Sequence, residues 1–447
     1  MTKLLLTFYG DDFTGSTDAL EQLTLAGIRT ALFVEPPTPA QLKKYPNLQA
    51  VGVAGMTRSM TPQKMETELR PALLKLKKLG ARHVHYKVCS TFDSSPRIGS
   101  IGRVLDIARQ IFLAPFVPML AAAPPLGRYT IFGNHFARFG IGSAGEIHRL
   151  DRHPSISKHP VTPMTEADLR LHLAPQTKKE IALFDIGKIA LPEAESRAAL
   201  KKILDGKPDA ILFDALNAEH LQRIGKLLDE LATATRPLFS IGSSGIEMAL
   251  ATVWEPAGAS PREAWPMPRT GPAGQILVGS GSCSPVTSRQ IAFALEHGFT
   301  EVALAANKLT GNSTDEIHRA INAATEFLRG GRSVIVHTTK TGSDKRIATK
   351  FLNQTAKILG TALGQVLRGT IAQTNVRRLC LAGGDTSSFA ARALGIIALE
   401  MIEPLTPGAP LCKALAPKSP ADGKEIVFKG GQVGAENYFE IVKNGEA

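Results

Sequence analysis

Short apolar runs recur along the chain, and each leads through a polar turn into a stretch of helical spacing. In the first half LLLTFY (4–9) precedes a helix that runs to about Ala26, where Gly27 stops it, and TALFV (30–34), QAVGVAG (49–55) and HVHYKV (83–88) follow as strands. The second half repeats the alternation: QILVGS (275–280), a helix across SRQIAFALEHG (288–298), SVIVHTT (333–339), a helix across 347–367, and RRLCLAGGD (377–385). Strands alternating with helices predict mostly parallel sheets with crossover helices. Between the halves, five prolines within residues 254–274 forbid continuous helix or central strand. The pattern therefore predicts two α/β domains with mostly parallel or mixed sheets, an N-terminal domain over 1–253, a Pro-rich linker over 254–274 and a C-terminal domain over 275–447, with the active site in the cleft between them. No period of 20 to 50 residues signals a solenoid.

Length and composition agree with this division. At 447 residues the chain exceeds one ordinary core, and its 43% apolar and 21% charged content is that of a globular protein. No apolar window approaches the ~20 residues of a membrane span, and the chain reads as cytoplasmic. The formal charge of +12 favours acidic partners. The basic residues are dispersed, with no basic arm or aromatic platform, which points to small anionic metabolites and away from nucleic acid and membrane; self-association is left open. Cys89, Cys283, Cys380 and Cys412 lie far apart and read as buried free thiols.

In open α/β sheets ligands bind beyond the carboxyl ends of the strands. There the first half carries GDDFTGSTD (10–18), Met56-Thr57-Arg58-Ser59 and CSTFDSS (89–95). Asp12, Arg58, Lys87, Ser90 and Asp93 are thus candidates to hold a small polyhydroxylated anion, Arg58 and Lys87 through its carboxylate and Asp12 through its hydroxyls. Of the two adjacent acids, one suffices as helix cap; Asp11 shapes the turn or caps the helix, and Asp12 faces the crevice. His83, His85 and Lys87 alternate as on a half-exposed strand.

In the second half VGSGSCSPVTSRQ (278–290), LAGGDTSSFAARAL (381–394) and VFKGGQVGAENYF (427–439) each follow an apolar run with glycines and hydroxyls, the combination that cradles phosphates. Two other features carry no such context. A G-x-G-x-x-G at Gly140, Gly142 and Gly145 follows FARF, no clear strand, and precedes two prolines. His148, His153 and His159 are spaced for neither a helix face nor a zinc site and read as loop or anion-contacting residues. The common ATPase and protein-kinase motifs are absent. A dehydrogenase using the glycine turns for NAD on a small hydroxy acid, or a non-catalytic sugar-acid-binding module, remain as alternatives.

GDDFTGSTD, KVCSTFDSS, GSGSCS-x-x-T-x-x-Q and AGGDTSS, in this order and over nearly the whole chain, resemble the four-carbon acid sugar kinases. The resemblance implies ATP-dependent phosphorylation of threonate, erythronate or 3-oxo-tetronate, with a sugar-acid domain before an ATP domain. It implies that Asp12, Arg58, Lys87 and Ser90 contact the sugar acid. Ser282, Gly383, Gly384, Asp385, Thr386 and Gly431 would contact ATP. Asp12 would serve as catalytic base with Asp93 as the substitute, and Mg²⁺ would be held mostly through water without a dedicated protein cage, Asp385 as a candidate outer ligand. Gly10, where many members carry Ala, and residues 132–151 depart from the family pattern.

Overall fold

A computed structural model describes residues 4–139, 145–159, 161–254, 270–309, 313–338 and 355–445. The Gly140–Gly142 part of the G-x-G-x-x-G, most of the Pro-rich stretch and residues 347–354 of the predicted helix lie outside them. The chain groups into two compact units: Met1–Asp11, Gln22–Ala31 and Glu35–Pro266 form the first, and Asp12–Glu21, Leu32–Val34 and Met267–Ala447 the second.

In the first unit, strands β1 (Leu6–Gly10), β3 (Ala50–Ala54), β4 (His83–Lys87), β5 (Val117–Leu120), β9 (Ile181–Phe184), β10 (Ala210–Phe213) and β11 (Leu238–Gly242) form a parallel sheet in the order β3-β1-β4-β11-β5-β10-β9. Alternate residues feed two cores on opposite faces. Ala210 and Leu212 join the cluster beneath the helices Pro62–Lys78 and Ile101–Ile111, whereas Ile211 and Phe213 join that beneath Ala218–Leu231 and Gly245–Trp254. The Ile101–Ile111 helix starts where Ser100 Oγ accepts the Arg103 amide, and buries Ile101, Val104, Leu105, Ala108 and Ile111 along one stripe, each large aliphatic contributing about 1.5–3 kcal/mol. β4 is buried along its whole length, so His83, His85 and Lys87 are not the face of a half-exposed strand.

A second, antiparallel sheet in this unit joins β6 (Arg128–Ile131), β7 (Asn134–Arg138) and β8 (Ile147–Arg149). Most of FARF is therefore strand, which its mixture of aromatic and basic residues concealed. Phe132, at φ +48°, and Gly133 make the β6–β7 turn.

In the second unit, β12 (Ile276–Ser280), β13 (Thr300–Ala303), β14 (Val334–His337), β15 (Arg378–Ala382) and β18 (Glu425–Lys429) lie parallel in the order β13-β14-β12-β15-β18. β17 (Ala409–Leu415) and β16 (Ala398–Thr406) extend it antiparallel, and Leu32 and Phe33 of β2 (Thr30–Phe33) pair with Leu399 and Ala398 of β16. Helix α1 (Phe13–Leu25) ends before Gly27 at φ +76°. Its first part belongs to this unit: the Phe13 ring lies 4.3 Å from that of Phe428. The helix predicted across 347–367 is described over Thr355–Ile371. Among the described residues no helix is long and apolar enough to cross a membrane.

Candidate active site

The strand ends of the first unit gather five of the residues singled out from sequence. Asp11 follows β1 and takes Arg58 side-on, with Nη2 to Oδ1 at 2.8 Å and Nε to Oδ2 at 3.1 Å. The backbone repeats the link, since the Arg58 amide donates to the Asp11 carbonyl and the Asp11 amide to that of Lys87. Arg58 thus commits its carboxylate-binding edge within the protein. Lys87 ends β4, is 2% exposed, and its Nζ donates to the Val88 carbonyl at 3.2 Å.

The segment after β4 is strained and cross-tied. Phe92, fully buried, sits at φ +56°, a conformation that a β-substituted residue keeps only when its surroundings impose it. The Asp93 oxygens accept from Thr91 Oγ1 and from Thr162 Oγ1, the latter at 3.3 Å. Burial pushes this carboxyl up, but Arg58, the Thr91 hydroxyl and His159 outweigh it and hold Asp93 below the usual carboxylate range. The Ser90 carbonyl accepts His135 Nε2 at 2.8 Å, and His135 Nδ1 lies 2.9 Å from Thr130 Oγ1. Burial brings the His135 pKa down to about 4, so the ring is neutral and donates from Nε2.

Sequence reading missed three contributors here: the Arg128–His135 face, Thr162, and the turn Ser243-Ser244-Gly245 after β11, beside Lys87 through the Gly242–Lys87 pairing. The last carried the same glycine-serine signal as the turns that were read. A Cβ on Gly245 would stand 1.9 Å from the Ala122 carbonyl, so glycine is required there. His153 is buried and its ring accepts the Ile156 amide at 3.3 Å, whereas His148 lies on β8.

In the second unit the glycine turns meet. Gly281 follows β12, Gly383 follows β15 at φ +130°, and Gly431 follows β18. Gly281 donates to the Ala382 carbonyl and Gly383 to that of Lys429, both at 3.0 Å, while Thr287 Oγ1 donates to the Gly431 carbonyl at 2.9 Å. A Cβ on Gly383 would lie 2.4 Å from Thr386 Oγ1, and one on Gly431 would lie 2.8 Å from Ser282 Oγ, so a side chain at either would displace these hydroxyls, and at Gly383 the backbone conformation itself disfavours one. The helix Gly384–Ala393 starts with Gly383 as N-cap and no side-chain cap, leaving its first amides without that partner. Ser282, Gly383, Gly384, Thr386 and Gly431 thus stand together; the side chain of Asp385 lies outside the description.

Asp12 belongs to this second group. Its Oδ1 accepts the Gly15 amide at 2.7 Å and its Oδ2 accepts Thr14 Oγ1 at 3.1 Å, making Asp12, and not Asp11, the cap of α1. A Cβ on Gly384 would stand 3.8 Å from Asp12 Oδ2. The carboxylate therefore lies at the starts of two helices, where their dipoles favour negative charge. Among the described residues no group of three His, Cys, Asp or Glu is arranged to hold a metal ion. All four cysteines are free; Cys380 and Cys412 are buried, but Cys283 is exposed and Cys89 intermediate, against the expectation of four buried thiols.

Comparison with known proteins also divides the chain in two, but places Asp12–Glu21 and Leu32–Val34 with the first part. A family described as "Sugar-binding N-terminal domain" matches residues 6–250, and one described as "Nucleotide-binding C-terminal domain" matches residues 277–439. The chain is 42% identical to 3-oxo-isoapionate kinase of Paraburkholderia graminis, over 99% of this chain and 94% of that protein. It is 30% identical to 3-oxo-tetronate kinase of Cupriavidus necator, over 98% and 96%, and 29% identical to that of Salmonella typhimurium, over 96% of each. A solved Haemophilus influenzae protein of the DUF1537 family has the same fold, with TM-score 0.70 and 21% identity over 98% of each chain.

Proposed function

The chain belongs to the four-carbon acid sugar kinase family, phosphotransferases acting on sugar acids, and we propose that it transfers the γ-phosphoryl group of ATP to a hydroxyl of a 3-oxo sugar acid. The observation that carries this reading is Asp12: a carboxylate beside the uncapped start of the Gly384–Ala393 helix, among closely packed glycine turns. That site suits a nucleoside triphosphate, because the uncapped first amides of the Gly384–Ala393 helix and serine or threonine hydroxyls present donors to phosphate oxygens. Bound Mg·ATP supplies the phosphoryl group and neutralises charge in a loose transition state.

The chain's own residues then position the reactants. Ser282, the Gly383–Thr386 turn and Gly431 would bind and orient the phosphates, and Asp385 stays the candidate outer ligand for Mg²⁺. Asp12 orients the acceptor hydroxyl and takes its proton. Lys87, Arg58 and Ser90 line the acceptor subsite. Asp93 accepts the Thr91 and Thr162 hydroxyls, much as Asp12 accepts the Thr14 hydroxyl and the Gly15 amide, and stays the substitute candidate for the base. The 42% identity to a 3-oxo-isoapionate kinase makes that acid the first acceptor to try, with 3-oxo-tetronates, threonates and erythronates after it.

The test is ADP release from Mg·ATP in the presence of each acid. Release driven by one acid, together with protection of the protein by ATP and not by NAD, supports the reading. Binding of acids with no ADP formed for any of them rejects it.

A further inference from the structure

We propose that Arg128 receives the carboxylate of the sugar acid, through the Nε/Nη2 edge of its guanidinium; the nature of the ligand rests on the kinase reading above. Arg128 opens β6 and is 5% exposed. The three hydrogen bonds described for its side chain all leave from Nη1, to the carbonyls of Leu126, Gly127 and Arg138 at 3.1, 3.2 and 3.1 Å. Nε is enclosed and has no hydrogen-bond partner. The Nε/Nη2 edge is the one whose two parallel donors match the two oxygens of a carboxylate.

Among the described residues no carboxylate forms an ion pair with Arg128, and the neighbouring Cys89 thiol is kept protonated, since burial and Asp93 raise its pKa. Burial depresses the guanidinium's own pKa, yet an arginine stays charged in a protein. A buried charge without a counter-ion is costly, and an anionic ligand would remove that cost.

The surroundings are those of the acceptor subsite. Arg128 and Thr130 lie on one face of β6, two residues or ~7 Å apart along the strand. They pair with Ala137 and His135 of β7. His135 holds the Ser90 carbonyl, and Cys89, whose electrostatics reach Arg128, stands between Lys87 and Ser90 in the chain. Arg58, the arginine favoured from sequence for the carboxylate, has its corresponding edge filled by Asp11.

The experiment is calorimetric titration, without nucleotide, of the full-length protein and its R128Q and R128K variants with each panel acid and with the carboxamide of that acid, alongside ADP release and melting temperature. The wild type should prefer acid over carboxamide. R128Q should bind the acid roughly 30-fold more weakly, about 2 kcal/mol at 1.4 kcal/mol per tenfold, lose that preference and keep its KM for ATP, while its melting temperature reports separately on the three lost Nη1 bonds. R128K, with charge but no fork, should recover only part of the affinity. A wild type that phosphorylates an acid while R128Q binds it equally well overturns the role of Arg128 and leaves the kinase reading standing. Arg128-dependent acid binding with no ADP release has the opposite meaning. A wild type indifferent between acid and carboxamide, or full recovery in R128K, overturns the proposed fork.

Discussion

The Gly15 amide donates to Asp12 Oδ1 at 2.7 Å, while its neighbour Asp11 pairs with Arg58 instead of capping the helix. Adjacent acids at the end of β1 thus divide their work in a way opposite to the simplest sequence reading. Asp12 closes the first turn of α1 within the second unit, and Asp11 fixes Arg58 in the loop after β3.

This double role of Asp12 makes its variants informative. Asn caps a helix as well as Asp does, so D12N should keep the melting temperature and ATP binding while turnover falls on the order of 10²–10⁴-fold through loss of the base. D12A should lose the cap as well, at about 1 kcal/mol. Urea melts and steady-state rates separate the two effects; a D12N protein with near-normal turnover would remove Asp12 from the chemistry.

The Asp11–Arg58 pair orders the acceptor side. Arg58 and Asp11 side chains are 26% and 8% exposed, and their bond is two-pronged. D11N breaks one prong and leaves the guanidinium to repoint, so KM for the acid should rise by roughly tenfold with KM for ATP unchanged. Equal changes in both constants would mean a general loss of structure.

Gly383 at φ +130° is the turn least able to accept a side chain. G383A adds a Cβ 2.4 Å from Thr386 Oγ1 to backbone strain, and should cost about 1–3 kcal/mol in stability. ATP binding should weaken with it, and acid binding, measured without nucleotide, should stay as it was. Acid binding lost to the same extent as ATP binding would argue against a local nucleotide turn.

β1, β3, β4, β12, β14 and β15 were legible because each is a dense apolar run leading into a glycine- or hydroxyl-rich turn, whereas β5, β9, β10, β11 and β13 were not read. The β6–β7–β8 sheet was not, because NHFAR alternates small, aromatic and basic groups that match no simple amphipathic pattern. Neither were the links that build the acceptor subsite. His135 meets a carbonyl 45 residues away and Thr162 a carboxylate 69 residues away, and no local spacing encodes such pairs. The choice between Asp11 and Asp12 as cap was equally undecidable, since two neighbouring acids offer the same chemistry and only the path of the chain selects one.

Glu21, later on α1, sets a pH dependence. It is 2% exposed, its Oε2 accepts the Gly408 amide at 2.6 Å, and burial, opposed by that hydrogen bond and reinforced by Asp18, raises its pKa to about 8. The folded state therefore holds a proton that the unfolded chain, with an ordinary value of 4.5, releases earlier. Between 4.5 and about 8 the native state binds more protons, so the Glu21 contribution to stability is complete below 4.5 and is lost as pH rises toward about 8. E21Q keeps a side-chain oxygen for Gly408 and cannot ionise. Melting temperatures across this range should show wild type and E21Q alike near pH 5, with E21Q the more stable at pH 9. A difference between them that does not change with pH would show that Glu21 does not hold its proton in the folded protein.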